Sequence, residues 1–173
     1  MVFAPDLLDA IERAPVRRLE TVVWRHTFGS NPPEQANTGG ARWNPPGVDA
    51  LYASLERRVA IAEGDYRLSL EPLRPSVRRS LHQVSLRLES VIDLSTPETL
   101  ASVGLAEQDI ADLPIGRSQE VGGAVEWLQH DGLLVPSARA NGLNIVVFPT
   151  QMQSSGRFEV ITTEIIFEPP PRK

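Results

Sequence analysis

The stretch SLHQVSLRLESVIDLS, residues 80–95, constrains the fold most, because apolar and polar side chains alternate along it. Apolar side chains recur along it at Leu81, Val84, Leu86, Leu88 and Val91, and the spacing is two residues from Val84 to Leu88. A period of two places such side chains on one face of a strand. The segment therefore predicts one long strand or two joined strands, with an apolar face that has to be buried against other elements.

Strands and helices are predicted in a mixed order around this segment. Helices are predicted over residues 5–13, 55–70 and 118–130, with two short helices after residue 95. Strands are predicted over residues 20–28 and 50–54, and three more are predicted in LLVPS, LNIVVFP and RFEVITTEIIFEP. Residues 29–47 are rich in proline and glycine and are predicted to form a loop. Regular βαβ alternation is absent. We therefore predict a single compact α+β domain in which helices flank a bent, mostly antiparallel sheet.

Composition limits the class of protein. The 173 residues fit one domain with its own hydrophobic core. There is no apolar run of about 18 residues, as a membrane-spanning helix would need, and the opening MVFAPDLLDAIERAP does not resemble a signal peptide. The absence of cysteine excludes disulfides and thiolate catalysis and is compatible with a reducing compartment. We expect a cytoplasmic protein without membrane association.

Charge argues against direct binding to nucleic acid, because the net charge is −5 and no basic stripe is present. Lys173 is the single lysine, and all other basic residues are arginines. The guanidinium fork binds phosphate or carboxylate through two hydrogen bonds, although a biased genome would produce the same excess of arginine. The three histidines lack metal-ligand spacing, so no metal site is expected.

Three candidate site residues lie in GGARWNPPGVDALYASLERRVAIAEGDY, residues 39–66. Arg42 follows two glycines that let the backbone approach a ligand. Tyr52 lies at the end of a predicted strand. Glu63 lies in an apolar part of the predicted helix, where a buried carboxylate requires a hydrogen-bonding or ionic partner or has a functional role. Taken singly, these residues also fit a surface arginine, a core tyrosine and a solvated glutamate.

Arg25 and Ser137 complete the candidates. Arg25 interrupts the apolar strand VVWRHTF, where an inward guanidinium is costly unless it meets an anion. The alternative is an edge-strand arginine that points into water. Ser137 follows Pro136 between two apolar strands, and the alternative there is a turn-forming or capping serine. No Gly-x-Ser-x-Gly elbow surrounds Ser137, so a serine hydrolase is not supported.

Taken together and in this order, these residues resemble the RES domain, a family named for its arginine, glutamate and serine. The resemblance covers residues 20–168 and is most specific in GARWNPPGVDALYASL, in the helix that ends in IAEGDY and in GLLVPSARANGLNIVVFP. RES proteins are the toxins of Xre–RES toxin–antitoxin modules, and their fold is similar to that of ADP-ribosyltransferases. The resemblance implies an enzyme that depletes NAD by cleaving its nicotinamide–ribose bond through phosphorolysis or hydrolysis. A protein ADP-ribosyltransferase and a non-catalytic nucleotide-binding or docking module remain as alternatives.

The resemblance also implies roles for individual residues. It places the family's functional positions at Arg25, Arg42, Tyr52, Glu63 and Ser137. Glu63 would stabilise the positive charge that develops on the ribose. Arg25 and Arg42 would bind the NAD pyrophosphate, and Tyr52 would stack on the nicotinamide or close the pocket.

The remaining implied contacts concern the ribose and the partners. Ser137 would hydrogen-bond the nicotinamide ribose or orient Glu63, and Asn44 and Asn144 would support NAD binding. No tightly bound cofactor is implied, because NAD is the substrate, with inorganic phosphate as a candidate co-substrate. The implied partner is an Xre-like helix-turn-helix antitoxin, in a toxin–antitoxin hetero-oligomer. Along the chain, we predict a helical extension over residues 1–19, the RES domain over 20–168 and a disordered tail over 169–173.

Overall fold

The alternating segment forms a single strand, and the predicted strands and helices surround it. The computed structural model describes residues 2–71, 76–111 and 113–170. Its elements, in chain order, are α1 (Pro5–Arg13), β1 (Val16–Phe28), β2 (Leu51–Ser54), α2 (Arg57–Ser69), β3 (Arg79–Asp93), α3 (Pro97–Ser102), α4 (Glu107–Ala111), α5 (Gly116–Trp127), β4 (Gly132–Pro136), β5 (Leu143–Val147), a 3-10 turn (Pro149–Gln151) and β6 (Arg157–Phe167).

The first strand begins earlier than the sequence predicted. β1 starts at Val16 rather than at residue 20, and its first residues pair with the end of β3 through Val16↔Ile92 and Arg17↔Val91. The side chains of residues 16–18 are exposed. These residues therefore show no apolar alternation, and only the backbone pairing defines them as strand.

The strands close into a ring. β1 pairs with β3 along its length and with β2 at Trp24↔Ser54. β2 pairs with β5, β5 with β4, and β4 returns to β3. The β3–β4 pairing is parallel and the others are antiparallel, while β6 lies outside the ring and pairs with β3. The predicted α+β fold with a bent, mostly antiparallel sheet is confirmed.

The hydrophobic core has two parts, one on each face of β4 and β5. Leu134 and Ile145 pack inside the ring with apolar side chains of β1 and β3. Leu133 and Val146 belong to the second part, which packs against α1 and α5. Burial on both faces explains why the sequences of these strands are continuous apolar runs rather than alternating ones.

The ends of the chain bear on the predicted boundaries. Leu7 and Ile11 of α1 are buried in the second part of the core. The boundary at residue 20 stays a prediction, as does the disordered tail, of which residues 171–173 lie outside the described residues.

None of the helices in the described part of the chain has the length and apolarity needed to cross a membrane.

Helix α5 packs directly on the Arg-Trp-Asn turn (residues 42–44) of the long loop, the connection between β1 and β2 over residues 29–50. A Cβ atom at Gly122 would lie 1.7 Å from the backbone carbonyl oxygen of Trp43. Gln119, one turn earlier, donates from Nε2 to the Ala41 carbonyl at 2.9 Å. Glycine at position 122 therefore permits the close approach that holds residues 41–44 in place.

We predict that Gly122→Ala destabilises the fold by about 1–3 kcal/mol or more, because the added methyl group meets backbone that cannot move aside. Gly116→Ala, in the same helix, is the matched control, since its Cβ atom would meet nothing within 4 Å. It should leave stability unchanged or raise it by up to about 1 kcal/mol through helix propensity. Urea denaturation measures both, and equal stabilities of the two variants would contradict the packing argument.

Candidate active site

A cleft of about 630 Å³ opens between β1, β2, α2 and the long loop. The predicted residues that line it are Arg25, Arg42, Tyr52, Glu63 and Asn144. Ser137 and Asn44 do not line it, but each hydrogen-bonds a side chain that does. The fold therefore brings all the predicted side chains to one place, although their roles remain predictions.

The carboxylate of Glu63 is held by donors from two other parts of the chain. Ser137 Oγ donates to Glu63 Oε1 at 2.6 Å, and Asn144 Nδ2 donates to the same oxygen at 2.7 Å. Hydrogen bonds to an ionised carboxylate are stronger than neutral ones. Within the described residues both bonds end on Oε1, which leaves Oε2 as the oxygen available to a ligand.

The hydroxyl group of Ser137 is fixed as a donor. Its Oγ accepts the backbone N–H groups of Arg139 at 3.1 Å and Ala140 at 3.3 Å. The hydroxyl proton therefore points towards Glu63. Ser137 N–H donates to the Gly142 carbonyl at 2.8 Å, which closes the turn between β4 and β5. This geometry suits a residue that orients Glu63, which is one of the two roles considered for Ser137.

Arg25 is enclosed by the ring rather than lying at an edge, because the neighbouring Trp24 pairs with both β2 and β3. Its Nη1 and Nη2 donate to the carbonyls of Tyr52 at 2.8 Å and Gln35 at 2.9 Å. Its Nε is buried and has no hydrogen-bond partner among the described residues. Burial lowers the pKa of Arg25 to about 10, so the guanidinium is still charged at pH 7. Because Nη1 and Nη2 each carry a second N–H, this partly buried cation still has donors that suit an anionic ligand.

Two further arginines approach the cleft from the long loop and from α2. Arg42 Nη1 donates to the Asp109 carbonyl at 3.2 Å, which connects the Arg-Trp-Asn turn to α4. Arg67 also lines the cleft. Arg67 is not among the residues predicted from the sequence, although its spacing of four residues from Glu63 on a predicted helix places both on one face.

Arg139 is the second arginine that the sequence analysis missed. Its guanidinium carbon lies 3.3 Å from the centroid of the Tyr66 ring, a cation–π contact at the cleft. Its Nη2 donates to the Ala111 carbonyl at 3.2 Å. No sequence signal could have found this contact, because its members come from α2, α4 and the β4–β5 turn.

The cleft is cationic although the chain as a whole is acidic. The charged side chains that line it are Arg25, Arg42, Arg67 and Arg139 and, with the opposite sign, Glu63. The net charge of the chain is −5. A concave site with this excess of guanidinium groups attracts ligands that carry several negative charges.

The Tyr52 ring forms part of the cleft wall and its hydroxyl group is anchored. The hydroxyl donates to Asn44 Oδ1 at 2.6 Å and accepts the Trp43 N–H at 3.0 Å, and burial raises the pKa of Tyr52. Asn44 is fully buried and donates from Nδ2 to the carbonyls of Asn37 and Val48. Asn44 therefore contacts the cleft through lining residues such as Tyr52 and Asn37, and its support of NAD binding stays a prediction, of an indirect kind.

His26 lines the cleft without adding charge to it. Its Nε2 accepts from Arg79 Nε at 3.2 Å. Burial, followed by the nearby Arg79, lowers the pKa of His26 to about 4, so the ring is neutral at pH 7. In the described ranges, no group of three or more histidine or acidic side chains could hold a metal ion.

Comparison with known proteins agrees with this architecture. The RES domain family model matches residues 13–167. NAD(+) phosphorylase MbcT of Mycobacterium tuberculosis H37Rv and that of Mycobacterium bovis are each 28% identical over 171 residues, covering 84% of this chain and 89% of the relative. A chain in the crystal structure of the M. tuberculosis MbcT–MbcA toxin–antitoxin complex has the same fold, with a TM-score of 0.79. The match covers 96% of this chain and 94% of that one, at 23% sequence identity. Because the family model spans most of its length, this chain belongs to the RES domain family.

Proposed function

We propose that this chain is a toxin enzyme that cleaves the nicotinamide–ribose bond of NAD and transfers the ADP-ribosyl group to inorganic phosphate. One observation carries the proposal. A carboxylate, Glu63, is held in fixed orientation in a cleft whose other charged lining residues are arginines. That arrangement suits a ligand with a cationic reacting centre and an anionic diphosphate, as NAD has.

Glu63 is the group that we assign to the reacting sugar. Breaking the bond between the nicotinamide nitrogen and the anomeric carbon builds positive charge on the ribose, as glycoside cleavage does. A carboxylate that is already oriented stabilises this charge without reorganising. Ser137 and Asn144 hold Oε1, so Oε2 is free to face the sugar.

The arginines are assigned to the phosphate groups. The NAD pyrophosphate carries two negative charges, and the guanidinium groups of Arg25 and Arg42 can donate paired hydrogen bonds to it. Arg67 and Arg139 also line the cleft and add the charge that a separate phosphate ion requires. Tyr52 offers a ring face for the nicotinamide.

Phosphate is the acceptor that we favour. Its oxygen forms a bond to the anomeric carbon as the bond to nicotinamide breaks, and nicotinamide leaves with the bonding electrons as a neutral ring. The relative MbcT is named an NAD(+) phosphorylase, which supports this choice over water or a protein side chain.

We also propose that an antitoxin restrains the enzyme in the cell. MbcT has been crystallised in a toxin–antitoxin complex with MbcA. By the resemblance described above, the partner of this chain is an Xre-like helix-turn-helix protein, and the site of action is the cytoplasm, where NAD is held.

The acceptor is tested by incubating the pure protein with NAD in phosphate and in phosphate-free buffer. We expect nicotinamide release that depends on phosphate, with a new sugar-phosphate signal in the 31P NMR spectrum. Release that is independent of phosphate would indicate hydrolysis, and label transferred from NAD to protein would indicate a protein ADP-ribosyltransferase. No turnover in either buffer would reject the enzyme in favour of a binding module.

Glu63→Gln should strongly reduce nicotinamide release and leave the fold intact, because the amide is nearly isosteric but lacks the negative charge. Removing such electrostatic stabilisation costs about 10²–10³ in kcat. Glu12→Gln, at an exposed position of α1, is the matched control and should have wild-type activity. Normal release by folded Glu63→Gln would exclude Glu63 as the stabilising carboxylate.

Arg42→Ala should weaken NAD binding about tenfold or more, since a charge-assisted hydrogen bond contributes about 1.5–3 kcal/mol. Isothermal titration of the Glu63→Gln background with NAD measures binding without turnover. Arg13→Ala, at an exposed position of α1, serves as the control. An unchanged dissociation constant for Arg42→Ala would exclude a contact between Arg42 and the pyrophosphate.

A further inference from the structure

We propose that Ser54 is a positioning residue for Glu63 and acts through the side-chain amide of Asn144. The inference rests on the proposed function for its kinetic consequences, but its structural content can be tested separately. Ser54 is 3% exposed, lies at the end of β2 and lines the cleft.

Three side chains form a continuous hydrogen-bonded chain across two strands and a helix. Ser54 Oγ donates to Asn144 Oδ1 at 2.6 Å, and Asn144 Nδ2 donates to Glu63 Oε1 at 2.7 Å. Ser54 and Asn144 are directly opposite in the β2–β5 register. The strand pairing therefore sets their separation, and the chain of bonds ends on the carboxylate.

Only one arrangement of donors and acceptors satisfies the hydrogen bonds that connect Ser54, Asn144 and Glu63. A carboxylate accepts and cannot donate, so the Asn144 atom that faces Glu63 has to be the amide nitrogen. The carbonyl oxygen of the amide then faces Ser54, and the serine hydroxyl has to donate to it. If the Asn144 amide were turned over, its oxygen would take the place of Nδ2 and lie 2.7 Å from Glu63 Oε1. Two acceptors cannot form a hydrogen bond, so that arrangement would be repulsive.

Ser54 therefore keeps the amide of Asn144 turned towards Glu63. Terminal amide groups rotate with little torsional preference, and their orientation is set by their partners. The other donor to Oε1, Ser137, is held independently by two backbone N–H groups. Loss of Ser54 should therefore loosen one of the two supports of the carboxylate and leave the second in place.

Steady-state kinetics of Ser54→Ala provide the first test. We expect kcat to fall about fivefold, the effect of losing one neutral hydrogen bond. KM for NAD should be unchanged, because the Ser54 hydroxyl donates to Asn144 and the residue is only 3% exposed. Ser54→Thr, which keeps the hydroxyl on a side chain suited to a strand, should restore kcat. Ser118→Ala removes an equally buried serine from α5, away from the cleft lining, and should match the wild type.

A double mutant separates positioning from a general structural role. Because Ser54 acts through Asn144, Ser54→Ala should cause no further loss of kcat in an Asn144→Ala background. Additive losses, a rise in KM in place of a fall in kcat, or unchanged kcat in an enzyme that is otherwise active would each overturn the proposal.

The side-chain amide signals of Asn144 give a test that needs no activity. In 1H–15N spectra, Ser54→Ala should shift or broaden the NH₂ resonances of Asn144, whereas Ser118→Ala should leave them unchanged. Unchanged Asn144 signals in Ser54→Ala would reject the positioning role even if NAD is turned over. If the Asn144 signals shift but the wild-type protein does not turn over NAD, the contact between Ser54 and Asn144 is supported and the proposed function is rejected.

Discussion

The site depends on the hydrogen bonds that converge on one oxygen, Glu63 Oε1. The carboxylate comes from α2, one donor from β5 and the other from the turn after β4. Closure of the ring brings β2 and β5 together, and Gly64 lets α2 approach β1, since a Cβ atom there would lie 1.4 Å from His26 Nδ1. The contacts that define the fold are thus the contacts that orient the carboxylate.

Charge is distributed unevenly over this protein. An acidic chain concentrates guanidinium groups in its cleft, and each of them except Arg67 donates to a backbone carbonyl within the described residues. A backbone carbonyl carries no net charge, so these particular bonds hold the guanidinium groups without cancelling their charge. The lining of the cleft therefore contains four guanidinium groups and one carboxylate, an excess of cationic groups that favours a polyanionic ligand.

Much of the fold could be predicted because its elements carry local signals. The alternation in β3, the apolar runs of β4 and β5 and the proline- and glycine-rich loop each indicate their structure within a few residues. The start of β1 could not be predicted in this way, since its exposed side chains show no periodicity and only pairing with β3 makes it strand. Closure of the ring is likewise invisible in any single segment.

For the site, the sequence by itself determined the chemical types. An arginine in an apolar strand, a glutamate in an apolar helix and a serine after a strand marked Arg25, Glu63 and Ser137, and resemblance connected them. Only the tertiary structure decided which groups bind one another, including Arg139 on Tyr66 and Ser54 on Asn144. The physical reason is that hydrogen bonds and cation–π contacts act over a few ångströms, and folding alone brings residues that are distant in sequence within that range.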